Sequence, residues 1–115
     1  MQNSNPIVKG SLTTIVLKLL SENKRMYGYE ITRKVRELTN GEWQITEGAL
    51  YPSLHKLEAE GMLEVTIEQM GNRPRKYYSL TQKGTKESTK KLAEIKSFFE
   101  QMQLILNIPG LAIKL

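Results

Sequence analysis

The fold of this chain is decided by residues 46–80, which read TEGALYPSLHKLEAEGMLEVTIEQMGNRPRKYYSL. The stretch opens as a helix: Thr46 can accept an amide hydrogen of the first turn, and Glu47 suits the positive end of the helix dipole. The predicted buried face carries three leucines at helical spacing, Leu50, Leu54 and Leu57. Gly61 ends this third helix of the chain.

The second half of the stretch has the pattern of a β-hairpin. Apolar and polar residues alternate along Leu63–Glu68, which is the period of a half-buried strand. A loop is predicted over Gln69–Pro74, and Arg75–Leu80 alternates again as the returning strand. The tip of this hairpin is basic and carries Arg73, Arg75 and Lys76.

Two helices are predicted upstream. The first repeats apolar residues with the spacing of one helix face, at Leu12, Ile15, Val16, Leu19 and Leu20. Its predicted cap is Gly10 or Ser11. The second helix follows Tyr27–Glu30 and stops at Thr39–Gly41. Its apolar face is predicted to contain Ile31, Val35 and Leu38.

A long helix is predicted downstream, from Gln82 to about Leu106, with Thr81 as its cap. Its apolar residues have the spacing of a coiled-coil seam, at Leu92, Ile95, Phe99, Met102 and Leu106. The first three turns carry lysines and almost nothing apolar, so we expect them to project past the core. Since so short a chain has little else to cover the seam, we predict that it joins two copies into a homodimer.

The composition restricts the classes of function. The chain has 115 residues, enough for one domain, and contains no cysteine and no aspartate. His55 is the single histidine, so we predict no metal and no cofactor. An enzyme would need a nucleophile next to a base, and the sequence offers none. Without cysteines, and without an apolar run near the roughly 20 residues that cross a bilayer, we expect a cytoplasmic protein and no membrane association.

Positive charge is concentrated in one block. The net charge is +5, and the block Gly71–Lys91 holds seven basic residues and one acidic residue. By contrast, Glu42–Glu68 holds six glutamates and one lysine. A local basic block predicts a surface that binds phosphate groups, and a solvated helix face is the alternative.

Three helices, a basic hairpin and a long helix, in that order, predict a winged helix-turn-helix. The fold class is mainly α with a small β-hairpin. We predict a winged-helix DNA-binding domain over residues 7–81, a dimerisation helix over residues 82–106 and an apolar tail over residues 107–115. The predicted partner is double-stranded operator DNA with a near-palindromic sequence, since a dimer presents two recognition helices about 34 Å apart.

The predicted DNA contacts belong to the second helix with its approach, to the third helix and to the hairpin, which we call the wing. They are Tyr27, Tyr29, Arg33, Thr46, Glu47, Tyr51, Ser53, Lys56, Arg73, Arg75 and Lys76. The wing cations are expected to bind phosphate and to offset its repulsion by Glu47 and Glu58. Helix capping explains the presence of Thr46 and Glu47 equally well. Tyrosines also serve as core residues whose hydroxyl stays in contact with water.

The residue pattern resembles that of the PadR transcriptional regulators. Three motifs carry the resemblance, namely Tyr27-Gly-Tyr-Glu-Ile31, Gly48-Ala-Leu-Tyr-Pro-Ser-Leu-His-Lys-Leu-Glu58 with Gly61, and Arg75-Lys-Tyr-Tyr-Ser-Leu-Thr81 with Gly84. The resemblance runs from about Lys9 to Gly84. It implies a dimeric winged-helix regulator, usually a repressor and often released by a small molecule.

The single C-terminal helix resembles the PadR subfamily that controls multidrug transporters and binds flat aromatic ligands at the dimer interface. Some of those proteins use a tryptophan of the last helix as a stacking platform, and this helix has none. Phe98 and Phe99 are its only aromatic residues and are therefore the candidates for binding a hydrophobic or aromatic effector. The alternative is that both pack in the seam.

A different function also agrees with this sequence. A winged helix can serve as a protein-interaction module, using the seam and the apolar tail to bind another protein. Weak, salt-insensitive DNA binding would indicate that role.

Overall fold

The computed structural model describes residues 6–108. In chain order the elements are α1 (Pro6–Glu22), α2 (Gly28–Leu38), α3 (Glu47–Ala59), β1 (Leu63–Met70), β2 (Arg73–Leu80) and α4 (Gln82–Leu106). The two strands pair antiparallel, with Leu63 opposite Leu80 and Met70 opposite Arg73. The predicted class, mainly α with a small hairpin in winged-helix order, is confirmed.

The core lies where α1, α2 and α3 meet the base of the hairpin. α1 contributes six buried residues, Val8, Leu12, Val16, Leu17, Leu19 and Leu20. The three leucines predicted for the inner face of α3 are at most 3% exposed. Leu63 and Tyr78 carry the core into the base of the wing.

Two details of the upstream helices differ from prediction. α1 begins at Pro6, before the predicted cap at Gly10 or Ser11, because proline suits a first helical turn and Val8 adds a buried position. In α2, Leu38 is 64% exposed, so its predicted place on the inner face is wrong. Leu38 is the last residue of α2 and lies at the rim of an apolar cleft.

The strands extend further than predicted into residues 69–74. Only Gly71 and Asn72 remain as the turn between Met70 and Arg73. Gly71 has a φ of 63°, and a two-residue hairpin turn of type II′ favours glycine at this first central position. The wing is therefore two strands of eight residues each, joined by a tight turn.

α4 begins at the predicted cap, where the Thr81 hydroxyl accepts the Gly84 amide at 3.1 Å. The expectation that its first three turns project past the core is wrong. Gly84 and Ser88 are buried there, and the Ser88 hydroxyl donates to the Leu17 carbonyl of α1 at 3.4 Å. Small residues let the backbone of α4 approach its neighbours closely. For this reason the first turns of α4 make their contact without an apolar stripe in the sequence.

The second half of α4 leaves the core. After Leu92, no residue of this helix is buried in the described part of the chain. The most exposed apolar side chains of this half are Phe98, Leu104, Ile105 and Leu106. Asn107 ends the helix in the left-handed region with a φ of 51°, and of the predicted tail only Asn107 and Ile108 belong to the described residues.

Two kinds of feature are absent from residues 6–108. No helix there has the length and apolar character needed to span a membrane. In the same part of the chain, no three His, Cys, Asp or Glu side chains are grouped so that they could hold a metal ion.

Candidate nucleic-acid interface

α3 is oriented by its buried leucines, which turn its other side outward. The Thr46 hydroxyl accepts the Ala49 amide at 3.2 Å, so the predicted cap is confirmed. Glu47 and Gly48 of the first turn are exposed. The start of α3 is therefore accessible to a ligand that approaches from outside.

Tyr51 reaches from α3 to the start of α2. A Cβ at position 28 would lie 2.8 Å from its hydroxyl oxygen, so Gly28 is required for the ring to rest there. Burial, and secondarily the carboxylate of Glu47, raise the pKa of Tyr51. The hydroxyl is consequently a neutral hydrogen-bonding group at neutral pH, held against the backbone of α2.

A cleft of about 530 Å³ lies between the wing and the starts of α2 and α3. It brings together seven of the predicted site residues, Tyr27, Tyr29, Glu47, Tyr51, Arg73, Arg75 and Lys76. Ile67 and Pro74 add apolar surface to its wing side. One cavity thus joins the basic tip of the wing to the exposed start of α3.

Three predicted residues line other clefts. Thr46 and Ser53 line a cleft of about 470 Å³ between α1 and α3, together with Lys9. Lys56 lines a cleft of about 230 Å³ whose walls include Glu87 of α4. The polar side of α3 is therefore divided among three surfaces, and only part of it faces the wing.

Aromatic rings and guanidinium groups build the rim of the wing cleft. The guanidinium carbon of Arg75 lies 4.1 Å from the ring centroid of Tyr27. Tyr27 stacks with Tyr29 at 6.4 Å and meets Tyr77 edge-on at 5.5 Å. Arg33, the remaining predicted residue, lies 5.7 Å from the Tyr29 centroid. Stacking orients a guanidinium while its edge keeps N–H donors for a phosphate.

Arg75 contributes a positive charge to this cleft. A hydrogen bond with Tyr77 is the main cause that raises the pKa of Arg75 above its ordinary value, and the fields of Tyr27 and Glu30 act in the same direction. Among the described residues it forms no ion pair with a carboxylate. Its charge is available to a ligand.

Sequence reasoning missed Arg25 and Glu68. Arg25 lies between α1 and α2, and its Nη1 donates a short hydrogen bond to Oε1 of Glu68 on β1. The same guanidinium carbon lies 4.1 Å from the ring centroid of Tyr77 on β2. The hydrogen bond from Arg25 lowers the pKa of Glu68. A loop residue has no periodicity, and 43 positions separate the pair, so no local pattern connects them.

The predicted seam is an open apolar surface along α4. Leu92, Ile95, Phe99 and Met102 are half-buried, and Leu106 is 51% exposed. The rings of Phe98 and Phe99 meet edge-on with centroids 5.9 Å apart. An apolar cleft of about 260 Å³ begins beside Leu92 and is also lined by Trp43 and Leu38.

Comparisons with known proteins agree with this geometry. The family model described as the transcriptional regulator PadR-like family matches residues 16–90. A transcriptional regulator of Clostridium thermocellum is 31% identical, with a TM-score of 0.74, and the match covers 90% of this chain and 94% of that one. A PadR family transcription regulator of Clostridium difficile is 30% identical, with a TM-score of 0.72 and coverage of 84% and 99%.

A third relative was solved in complex with operator DNA. It is PadR of Bacillus subtilis, which is 30% identical to this chain with a TM-score of 0.64. The match covers 70% of this chain and 45% of that one. The family match on residues 16–90 contains every element that builds the wing cleft. This family match confirms the resemblance to the PadR regulators, and it confirms the prediction that the chain is not an enzyme. The chain belongs to the PadR-like family of transcriptional regulators.

Proposed function

We propose that this protein is a repressor that binds a specific operator as a homodimer and is released by a small molecule. One observation carries the proposal: the cleft in which Arg73, Arg75 and Lys76 of the wing face the exposed start of α3. The structure of Bacillus subtilis PadR with its operator supports it by similarity.

The two sides of the cleft have different roles in this proposal. The wing cations bind phosphates, which supplies affinity and fixes the position of the protein on the duplex. The first turn of α3 faces base edges in the major groove, where a carboxylate such as that of Glu47 can accept from the amino group of cytosine. The Tyr51 hydroxyl, neutral at neutral pH, adds a hydrogen-bonding group on the same side.

We propose that the open seam of α4 joins two copies into a dimer. Two helices that cover each other's Leu92, Ile95, Phe99 and Met102 would place two copies of α3 about 34 Å apart, on successive major grooves. Three wing cations in each copy give six phosphate contacts. We therefore expect log K to fall with log salt with a slope of about −5.

An effector would act through the same helices. We propose that a hydrophobic or aromatic molecule binds between the copies, against Phe98 and Phe99, and changes the distance between the two α3 helices. Such a mechanism needs no cofactor. Since operator binding requires access to the chromosome, we propose that the protein acts in the cytoplasm.

The test begins with selection of bound fragments from the genome of the source organism. The best site is then titrated against salt in a mobility-shift assay. We expect a twofold-symmetric site, bound by a dimer about a thousandfold more tightly than random DNA. Weak binding without an enriched sequence and without the salt slope would contradict the proposal, and would favour a protein partner on the apolar end of α4.

A further inference from the structure

Arg25 is held beside the wing by its neighbour in the chain. The Met26 amide donates to the Tyr78 carbonyl at 3.0 Å, and the Tyr78 amide donates to the Met26 carbonyl at 2.8 Å. Met26 is also buried in the core. Because both backbone bonds and the Met26 side chain anchor this loop, the position of Arg25 does not depend on its own side-chain contacts.

The Arg25 side chain contacts both strands of the wing. Its guanidinium pairs with Glu68 on β1 and stacks over Tyr77 on β2. A two-stranded hairpin is marginally stable by itself, and beyond its base this wing has few buried apolar side chains. The contact therefore ties both strands of the wing to the loop before α2.

Glu68 lies directly opposite Arg75 in the pairing of β1 with β2. Side chains at opposite positions have Cβ atoms about 5 Å apart, so this carboxylate is within reach of the Arg75 guanidinium. The structure shows a different pairing. Glu68 binds Arg25, whereas Arg75 stacks on Tyr27 without a carboxylate partner among the described residues.

We propose that Arg25 is a positioning residue that holds the Glu68 carboxylate away from Arg75 and thereby leaves the charge of Arg75 available to a DNA phosphate. The proposal rests on the proposed function, and it names the residue that keeps Arg75 available for its phosphate contact. Without Arg25, Glu68 would be free to pair with Arg75, the residue opposite it on β2. That ion pair would compete with phosphate and weaken binding to every DNA sequence alike.

The experiment compares four variants with the wild type: Arg25→Ala, Glu68→Gln, the double variant and Arg25→Lys. Operator affinity is measured across a range of salt concentrations. We expect Arg25→Ala to weaken binding about tenfold and to flatten the salt slope toward that of Arg75→Ala. When Glu68→Gln has already removed the carboxylate, adding Arg25→Ala should lower operator affinity by less than about threefold. Arg25→Lys keeps a cation near Glu68 and should bind nearly as the wild type.

Two results would overturn the proposal. An Arg25→Ala variant that binds as the wild type would show that Glu68 does not capture Arg75. An equal loss with and without the Glu68→Gln substitution would assign Arg25 a direct phosphate contact or a purely structural role. Circular dichroism verifies folding, which we expect to be intact because the Arg25 side chain is 40% exposed.

A measurement without DNA separates this proposal from the proposed function. The ¹⁵Nε resonance of Arg75 reports whether its guanidinium meets a carboxylate. We expect Arg25→Ala to shift this resonance, and Arg25→Ala with Glu68→Gln to return it to the wild-type position. An unmoved resonance contradicts the proposal even if the operator is bound. A moved resonance in a protein that binds no operator contradicts the proposed function alone.

Discussion

Gly84 lies so close to Met62 that a Cβ at position 84 would stand 2.0 Å from the Met62 carbonyl oxygen. That oxygen also accepts the Thr81 amide at 3.0 Å, so it is held in place. Gly84→Ala must therefore move α4 away from the loop before β1. We expect the free energy of unfolding, measured by urea denaturation, to fall by about 3 kcal/mol.

Gly10 provides the matched control. It lies in α1, and a Cβ there would meet nothing within 4 Å. Gly10→Ala should raise the free energy of unfolding by about 1 kcal/mol, because alanine is the better helix former. Similar small effects of both substitutions would contradict the close contact at Gly84.

The elements that carry a repeating pattern were predictable from the sequence. The leucines of α3 report one face of a regular element, and the structure confirms them. The alternation along β1 is confirmed at Leu63 and Val65 but is wrong at Ile67, which is 62% exposed because this part of the wing extends beyond the core. The docking of α4 was not predictable, because Gly84 and Ser88 make contact by being small, which leaves no apolar stripe. The Arg25–Glu68 pair was missed since it joins a loop to a distant strand.

The buried hydroxyl of Tyr78 makes the stability of the fold depend on pH in the alkaline range. The residue is 1% exposed, and its hydroxyl has no hydrogen-bond partner among the described residues. Burial first, then Tyr51 and Glu58, raise the pKa of Tyr78. The unfolded chain, with an ordinary tyrosine pKa of about 10, then loses this proton more readily. The contribution of this hydroxyl to the free energy of unfolding is thus fully present below about pH 10. It is lost as the pH rises through the pKa of Tyr78 in the folded protein.

Tyr78→Phe removes both effects. At pH 7 we expect the free energy of unfolding to stay constant or to rise by about 1 kcal/mol, because an unpaired buried hydroxyl is removed. Above about pH 10 the variant should lose less stability than the wild type. The measurement is urea denaturation from about pH 7 to about pH 11, which spans the ordinary tyrosine pKa. Tyr29→Phe, at a position 48% exposed, serves as the control. If Tyr78→Phe loses as much stability as the wild type at alkaline pH, the Tyr78 hydroxyl is not the cause of that loss.

Gly28 and Tyr51 should be coupled in DNA binding. A Cβ at position 28 meets the far end of the Tyr51 side chain, so the ring must move while the backbone can stay. We expect Gly28→Ala to weaken operator binding by about tenfold with a smaller effect on stability. Adding Tyr51→Phe removes the oxygen that clashes and should restore part of the affinity. If the double variant binds no better than Gly28→Ala, the ring is not what the methyl group displaces.

Arg75 should account for one phosphate contact in each copy of the dimer. Arg75→Ala is therefore expected to weaken binding to all sequences and to reduce the magnitude of the salt slope by about two units per dimer. Lys18→Ala removes a cation that pairs with Glu22 on α1, outside the wing cleft, and should leave the slope unchanged. Equal slopes for Arg75→Ala and the wild type would contradict the proposed phosphate contact of Arg75.

Phe99→Glu tests the dimer through the seam. Phe99 is half-buried within one copy and belongs to the apolar surface that a second copy would cover, so a carboxylate there would be buried without a partner. We expect the dimer dissociation constant, measured by sedimentation, to rise about a hundredfold or more, since burying such a charge costs several kcal/mol. Ser97→Glu adds the same charge at an exposed position off the seam and should leave the dimer intact. A Phe99→Glu protein that remains dimeric would exclude this seam as the interface, and the spacing of the two α3 helices would then have to be set by another surface.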